Sequence, residues 1–193
     1  MNKIKPNLSK YLKLLIALVL AIAACLFLFN ENDELLEKLN GNATLIEKYN
    51  EFKLAGINKT IDFPENIIEK IIDTSMTFVG TPNKIGGIDK SGIDASGLVH
   101  VSIKKNSSIL FPRIAQDMAR YGAFITDSDK LKRGDLVFFY DTYSVDRIIT
   151  SVGIYLGDGK FINSSSSKGV TVSDINDPYY WKEKFFFGTR ILN

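Results

Sequence analysis

The chain has 193 residues, 45% hydrophobic and 24% charged, which is room for one packed domain with an appendage and rules out both disorder and two large domains. Net charge is +2, but Lys3, Lys5, Lys10 and Lys13 lie in residues 1–29 with no acid, so the remaining 20 basic and 22 acidic residues sum to −2. That balance excludes a nucleic-acid footprint, and the single cysteine, Cys25, excludes a disulfide, a cysteine-built metal site and a thiol nucleophile from everything that follows it.

Residues 14–29 are sixteen uninterrupted apolar residues behind those four lysines. The pattern predicts a signal peptide or membrane anchor over 1–29, with the lysines held inside and Glu31, Asp33, Glu34 and Glu37 on the translocated side. Ile22-Ala23-Ala24-Cys25 is similar to a bacterial lipoprotein cleavage box, which makes Cys25 a lipidation candidate, whereas the apolar continuation over 26–29 fits an uncleaved anchor. Either way the rest of the chain is expected outside the cytoplasm, tethered to the membrane.

Residues 30–63 are net acidic and carry a short helical periodicity, so they are expected to be a linker with partial helix. Pro64 opens a strong pattern, Ile67, Ile68, Ile71, Ile72, Ser75, Met76 and Val79, that predicts a helix stopping at Gly80-Thr81-Pro82. A second helix is predicted over 94–105 with Asp94 as its cap, and a third over 112–121 behind Pro112. From residue 134 on, short β-branched and aromatic runs at 135–140, 150–156, 160–163, 170–172 and 185–192 are separated by turn residues, with Asp158-Gly159 the strongest hairpin signal. Helices first and an antiparallel meander after them make the fold class α+β, with the folded domain at 64–193. Phe138, Phe139, Phe185, Phe186 and Phe187 are expected in the strand core and Tyr179, Tyr180 and Trp181 over one end of the sheet, all as packing groups and not as a ligand site.

Five ordered segments carry a resemblance: GTPNKIGGIDKSGIDASGLV at 80–99, FPRIAQ at 111–116, LKRGDLVFF at 131–139, SVGIYLGDGKFIN at 151–163 and PYYW at 178–181. They resemble the NlpC-type bacterial cell-wall peptidases, a papain-like family. The resemblance implies N-terminal helices packed on an antiparallel sheet, and a cysteine at a helix N-terminus that attacks the peptide stems of peptidoglycan. A histidine on the first strand would act as base, oriented by a third polar residue. By the same resemblance, the nucleophile position is Ala95, the base position Ser151, the orienting position Asn163 and the position of a family tyrosine Asn83.

Alanine has no lone pair and serine does not accept a proton at pH 7 as imidazole does, so the family mechanism cannot run on these residues. The expectation is a pseudoenzyme at the bacterial cell envelope. Asp94, Ser96 and Arg113, at positions where the family contacts substrate, are its candidate ligand-binding residues; the plainer reading makes Asp94 a helix cap and Arg113 a solvated charge. Its partner is expected to be a stem peptide or an envelope protein. Two other functions compete: a scaffold for an envelope partner, and a hydrolase using Ser96, with His100 four residues on along the same helix face. No metal or other cofactor is expected.

Overall fold

The computed structural model describes residues 34–64 and 66–191, together with Leu15, Ile16 and Val19. Cys25 and nearly all of the apolar run lie outside the described residues; among those described, no helix is long and apolar enough to cross a membrane. The chain divides into two compact units, residues 1–41 and 42–193. In the first, Leu15, Ile16 and Val19 are helical and exposed, and residues 34–38 form a short helix.

The second unit is α+β. Helix α1 (Ala43–Leu54) is capped by Asn42, whose side chain accepts from the Leu45 N–H at 3.1 Å. It is followed by α2 (Ile67–Met76), the short hairpin β1 (Ile88–Asp89) and β2 (Gly92–Ile93), α3 (Ala95–Asn106) and the single turn α4 (Ala115–Met118). Strands β3 (Ala123–Ile125), β4 (Leu136–Tyr140), β5 (Ile149–Gly157), β6 (Lys160–Ser165) and β7 (Gly169–Asp174) come next, then the turn α5 (Trp181–Lys184) and strand β8 (Phe185–Arg190). The six longer strands form one antiparallel sheet in the order β3-β8-β4-β5-β6-β7. The meander expected from the sequence is β4 to β7. Asp158 and Gly159 join β5 to β6 with φ of 51° and 72°, the paired left-handed conformation of a tight hairpin that an Asp-Gly step adopts at low cost.

Both faces of the sheet are buried, which explains the long apolar runs in place of strict alternation. One face carries Val137, Phe139, Tyr155, Phe161 and Phe185, with Ile125, Leu131 and Ile175 closing around them and Trp181 packed against the cluster. Leu136, Phe138, Val152, Ile154 and Ile162 alternate with these onto the other face, and α3 packs on β5 and β6. Helix α2 packs on α3 and buries Ile67, Ile71 and Ile72, as its periodicity predicts.

Three expectations change. The segment expected to be a linker supplies α1, and its Tyr49 and Phe52, at 2% and 1% exposure, lie against Phe186 and Phe187 of β8, so the packed unit begins at Asn42 and not at residue 64. Arg120 locks α1 down by donating to the carbonyls of Phe52 at 2.6 Å and Gly56 at 2.9 Å, with its guanidinium 4.7 Å from the centre of the Phe52 ring. The third helix is a four-residue turn: residues 107–112 run back beside α3, and the His100 ring holds the Phe111 and Pro112 carbonyls, so Pro112 does not open a helix. Strand β3, too short to show a period, was not foreseen.

Candidate functional site

The site is built at the start of α3. Asp94 has extended backbone and caps the helix, its Oδ1 accepting from the Gly97 N–H at 2.6 Å, so the next residue, Ala95, stands first in the helix. Its carboxylate is then saturated. Oδ2 accepts from the Gly86 N–H at 2.6 Å, and the Arg113 guanidinium straddles both oxygens, Nη1 to Oδ1 at 2.8 Å and Nη2 to Oδ2 at 2.9 Å. Arg113 also donates from Nη1 to Ser96 Oγ at 2.8 Å and from Nη2 to the Gly87 carbonyl at 3.0 Å, while the Ser96 hydroxyl donates to Asp94 Oδ1 at 3.3 Å. The residues proposed from the sequence as ligand contacts, Asp94, Ser96 and Arg113, are thus brought together, bonded to one another.

This latch joins three stretches of chain: the cap of α3, the 86–87 turn and the segment before α4. Burial, the largest single influence on the Asp94 carboxyl, pushes its pKa up. The hydrogen bonds from Arg113, Gly97 and Gly86, with the Arg113 charge, outweigh it and hold the group below the ordinary carboxylate value. Gly97 is required here because a Cβ would collide with the Gly87 carbonyl and crowd Arg113 Nη2 and Asp94 Oδ1. His100, on the next turn of α3, holds the backbone just before Arg113: its Nδ1 lies 3.1 Å from the Phe111 oxygen and 3.2 Å from that of Pro112. Both neighbours are acceptors, so Nδ1 carries the proton and the ring donates. Ser96 and His100 are therefore each engaged with other groups, Ser96 in the latch and His100 on the 111–112 backbone.

Ser151 lies on β5 opposite Phe139 of β4 and is buried. The pairs Ile154–Ile162 and Tyr155–Phe161 set the β5–β6 register, so Ser151, Gly153 and Tyr155 share a face with Phe161 and Asn163. Asn163 has no exposure, and neither its Oδ1 nor its Nδ2 has a hydrogen-bond partner among the described residues. Asn83 donates to Ser164 Oγ at 2.9 Å, and that hydroxyl donates to the Ile93 carbonyl at 2.7 Å, tying the loop after α2 to β6 and to the residue before Asp94. The sequence reading missed the bonds made by the Gly86 N–H and the Gly87 carbonyl, and the role of His100. The Gly-Gly step was the available signal for the first; nothing local pointed to the second.

The NlpC/P60 family model matches residues 80–190, more than half of the chain and all five segments quoted above. This chain belongs to the NlpC/P60 family. The murein DD-endopeptidase MepS/murein LD-carboxypeptidase of Escherichia coli K12 is 33% identical over 128 residues, 66% of this chain and 65% of that protein, so the match spans a little under two thirds of the relative. The crystal structure of an NlpC/P60 family protein from Bacillus cereus is 29% identical over 68% of this chain and 42% of that one, with a TM-score of 0.59. RipD of Mycobacterium tuberculosis, a non-catalytic NlpC/p60 domain protein adapted to peptidoglycan binding, shares the fold at 22% identity and a TM-score of 0.53, covering 67% of this chain and 100% of that one. The NlpC/P60 match begins at Gly80, after α1 and α2, so those two helices lie outside it.

Proposed function

We propose that this NlpC/P60 protein is catalytically inactive, held at the bacterial cell envelope by its N-terminal segment, and binds peptidoglycan stem peptides. One observation carries the reading: the residue presented at the N-terminus of α3 behind its Asp94 cap is Ala95, where the family chemistry needs a thiolate, and the strand position of the base is Ser151. A nucleophile and base that act as a unit are both missing, and the helix N-terminus that would stabilise a thiolate has no sulfur to act on. Catalysis through Ser96 finds no support in the geometry, since its hydroxyl sits between Arg113 and Asp94, and His100 is turned to the 111–112 carbonyls. The relatives named as murein endopeptidases support the polymer as the ligand, and RipD supplies a precedent on this fold.

Binding works through the latch. A stem peptide that presents an amine to Asp94 and a carboxylate to Arg113 replaces one ion pair by two, and in doing so loosens the joint between the cap of α3 and the 86–87 turn. Tethering rests on the lysine-flanked apolar run and on Cys25; a diacylated Cys25 start in membrane-fraction mass spectrometry supports a lipid anchor, and an intact Met1 start replaces it by a signal anchor.

The decisive experiment is calorimetric titration of a stem peptide containing D-glutamate and its diamino acid into the full chain in detergent. A saturating isotherm is expected. Sustained heat proportional to protein concentration overturns the claim of inactivity. No heat from a folded sample transfers the function to an envelope protein partner.

A further inference from the structure

Two tyrosines expected to be packing groups stand in solvent, Tyr179 at 93% exposure and Tyr180 at 39%, and a third, Tyr143, is 54% exposed. They are gathered at one place. The Tyr180 hydroxyl donates to the Thr142 carbonyl at 3.3 Å, which brings the turn before α5 against the β4–β5 loop that carries Tyr143. The Tyr180 ring stands edge-on to Trp181 at 4.9 Å, and Trp181 in turn rests on Phe139 at 4.7 Å and Phe161 at 5.1 Å. An aromatic tier thus runs from the sheet core outward to Tyr180 and the adjacent Tyr179. Its base is the face of Ser151 and Asn163, since Phe139 pairs with Ser151 and Phe161 lies two residues before Asn163 on β6.

Both supports are stiff. Pro178 fixes its own φ, and the Asp177 side chain accepts from the Tyr179 N–H at 3.0 Å while its carbonyl accepts from the Lys182 N–H at 2.9 Å. On the other side, Thr142 bonds Thr150 through both its N–H at 3.0 Å and its hydroxyl at 2.7 Å, and Asp141 is paired with Lys184 at 2.7 Å. Rings carried on backbone held this way, each with only two side-chain torsions to fix, lose little freedom on contact. Asp141 is paired with Lys184, the Asp177 carboxylate accepts from the Tyr179 N–H, and Lys182 and Glu183 add one charge of each sign beside them, so the shelf presents π-faces and hydroxyls without the single-sign field that would suit phosphate or a charged peptide. Flat rings with polar rims complement the C–H face and hydroxyl edge of a neutral pyranose.

We propose that Tyr143, Tyr179 and Tyr180, the last resting on Trp181, form a docking shelf for the neutral, β-linked amino-sugar strand of the cell-wall polymer. The choice of sugar rests on the cell-wall reading above. It adds a second contact beside the peptide site, so that one molecule grips stem and strand together and gains from their effective concentration.

The test uses the chain's single tryptophan, which lies under the shelf. Titrating N-acetylglucosamine tetramer into the full chain in detergent is expected to shift Trp181 emission saturably. Tyr179→Ala and Tyr143→Ala, whose exposed rings leave the melting temperature unchanged, should each weaken sugar binding by about tenfold, the loss expected of one stacked aromatic, and leave stem-peptide binding intact. The shelf is overturned if the peptide binds and the tetramer does not, or if the Tyr143→Ala/Tyr179→Ala double variant keeps the emission shift. If neither ligand binds, the cell-wall reading falls with it.

Discussion

Arg113 is the residue on which the site turns, because its two Nη atoms connect Asp94, Ser96 and Gly87 at 2.8–3.0 Å. Arg113→Ala leaves the half-buried Asp94 carboxylate with backbone donors and Ser96 alone, and is expected to cost about 2 kcal/mol, or roughly 5 °C in Tm. Arg113→Lys should recover only part of that loss, since one ammonium cannot span both carboxylate oxygens; equal melting of Arg113→Lys and wild type would show that the fork geometry does not matter. At the neighbouring position, Ala95→Cys places a thiol at the helix N-terminus, where the dipole favours thiolate, and still leaves Ser151 at the base position proposed above. Stem-peptide cleavage followed by chromatography is expected to stay at background in this variant, and turnover by it would show that a base exists elsewhere. Asp94, Ala95, Ser96, Arg113, Ser151 and Asn163 were all legible as positions in the sequence because they lie inside ordered motifs. That Asp94 and Arg113 bind each other was not, because 19 residues separate them and only the path of residues 107–112 beside α3 closes the gap.

Among the elements, α1 shows why a linker and a docked helix are hard to tell apart locally. Its buried residues, Tyr49 and Phe52, make a narrow stripe on an otherwise polar helix, too little to announce a partner. The partner is β8, some 130 residues later, together with Arg120 at the C-terminal end of α1. Cations suit that end of a helix, and here the guanidinium satisfies the Phe52 and Gly56 carbonyls directly. Arg120→Ala is expected to lower Tm by roughly 5–10 °C and to abolish hydrogen-exchange protection over residues 43–54 while β4 to β7 stay protected. Unchanged exchange in α1 would show that Tyr49 and Phe52 dock it without the arginine. Helices α2 and α3, by contrast, were foreseen within three residues at each end, since α2 has a full apolar face and α3 a capping aspartate. The third predicted helix shrank to a turn because a tertiary contact, His100 on the 111–112 carbonyls, outcompeted the local preference of Pro112.

At the scale of the whole molecule, acid should undo the latch. The Asp94 carboxyl is held below its ordinary value in the folded state, so its contribution to stability is complete above the unfolded value, about pH 4, and is lost as pH falls through the lowered folded value. Acid unfolding followed by circular dichroism should therefore show a steeper loss for the wild type than for Asp94→Asn, which starts less stable near neutrality and changes less on acidification; parallel curves would remove Asp94 as the group responsible. The sequence alone determined the α+β class, the meander with its Asp-Gly hairpin and the family, and it put Ala95 and Ser151 inside the motifs on which the proposed inactivity rests, because periodicity, turn chemistry and ordered motifs are local and survive without coordinates. Only the tertiary structure decided that α1 belongs to the packed unit, that Asp94 and Arg113 close on each other, and that the turn carrying Tyr179 and Tyr180 meets the loop carrying Tyr143. Those are contacts between residues far apart in the chain, which depend on where each strand and loop comes to rest against the rest of the fold.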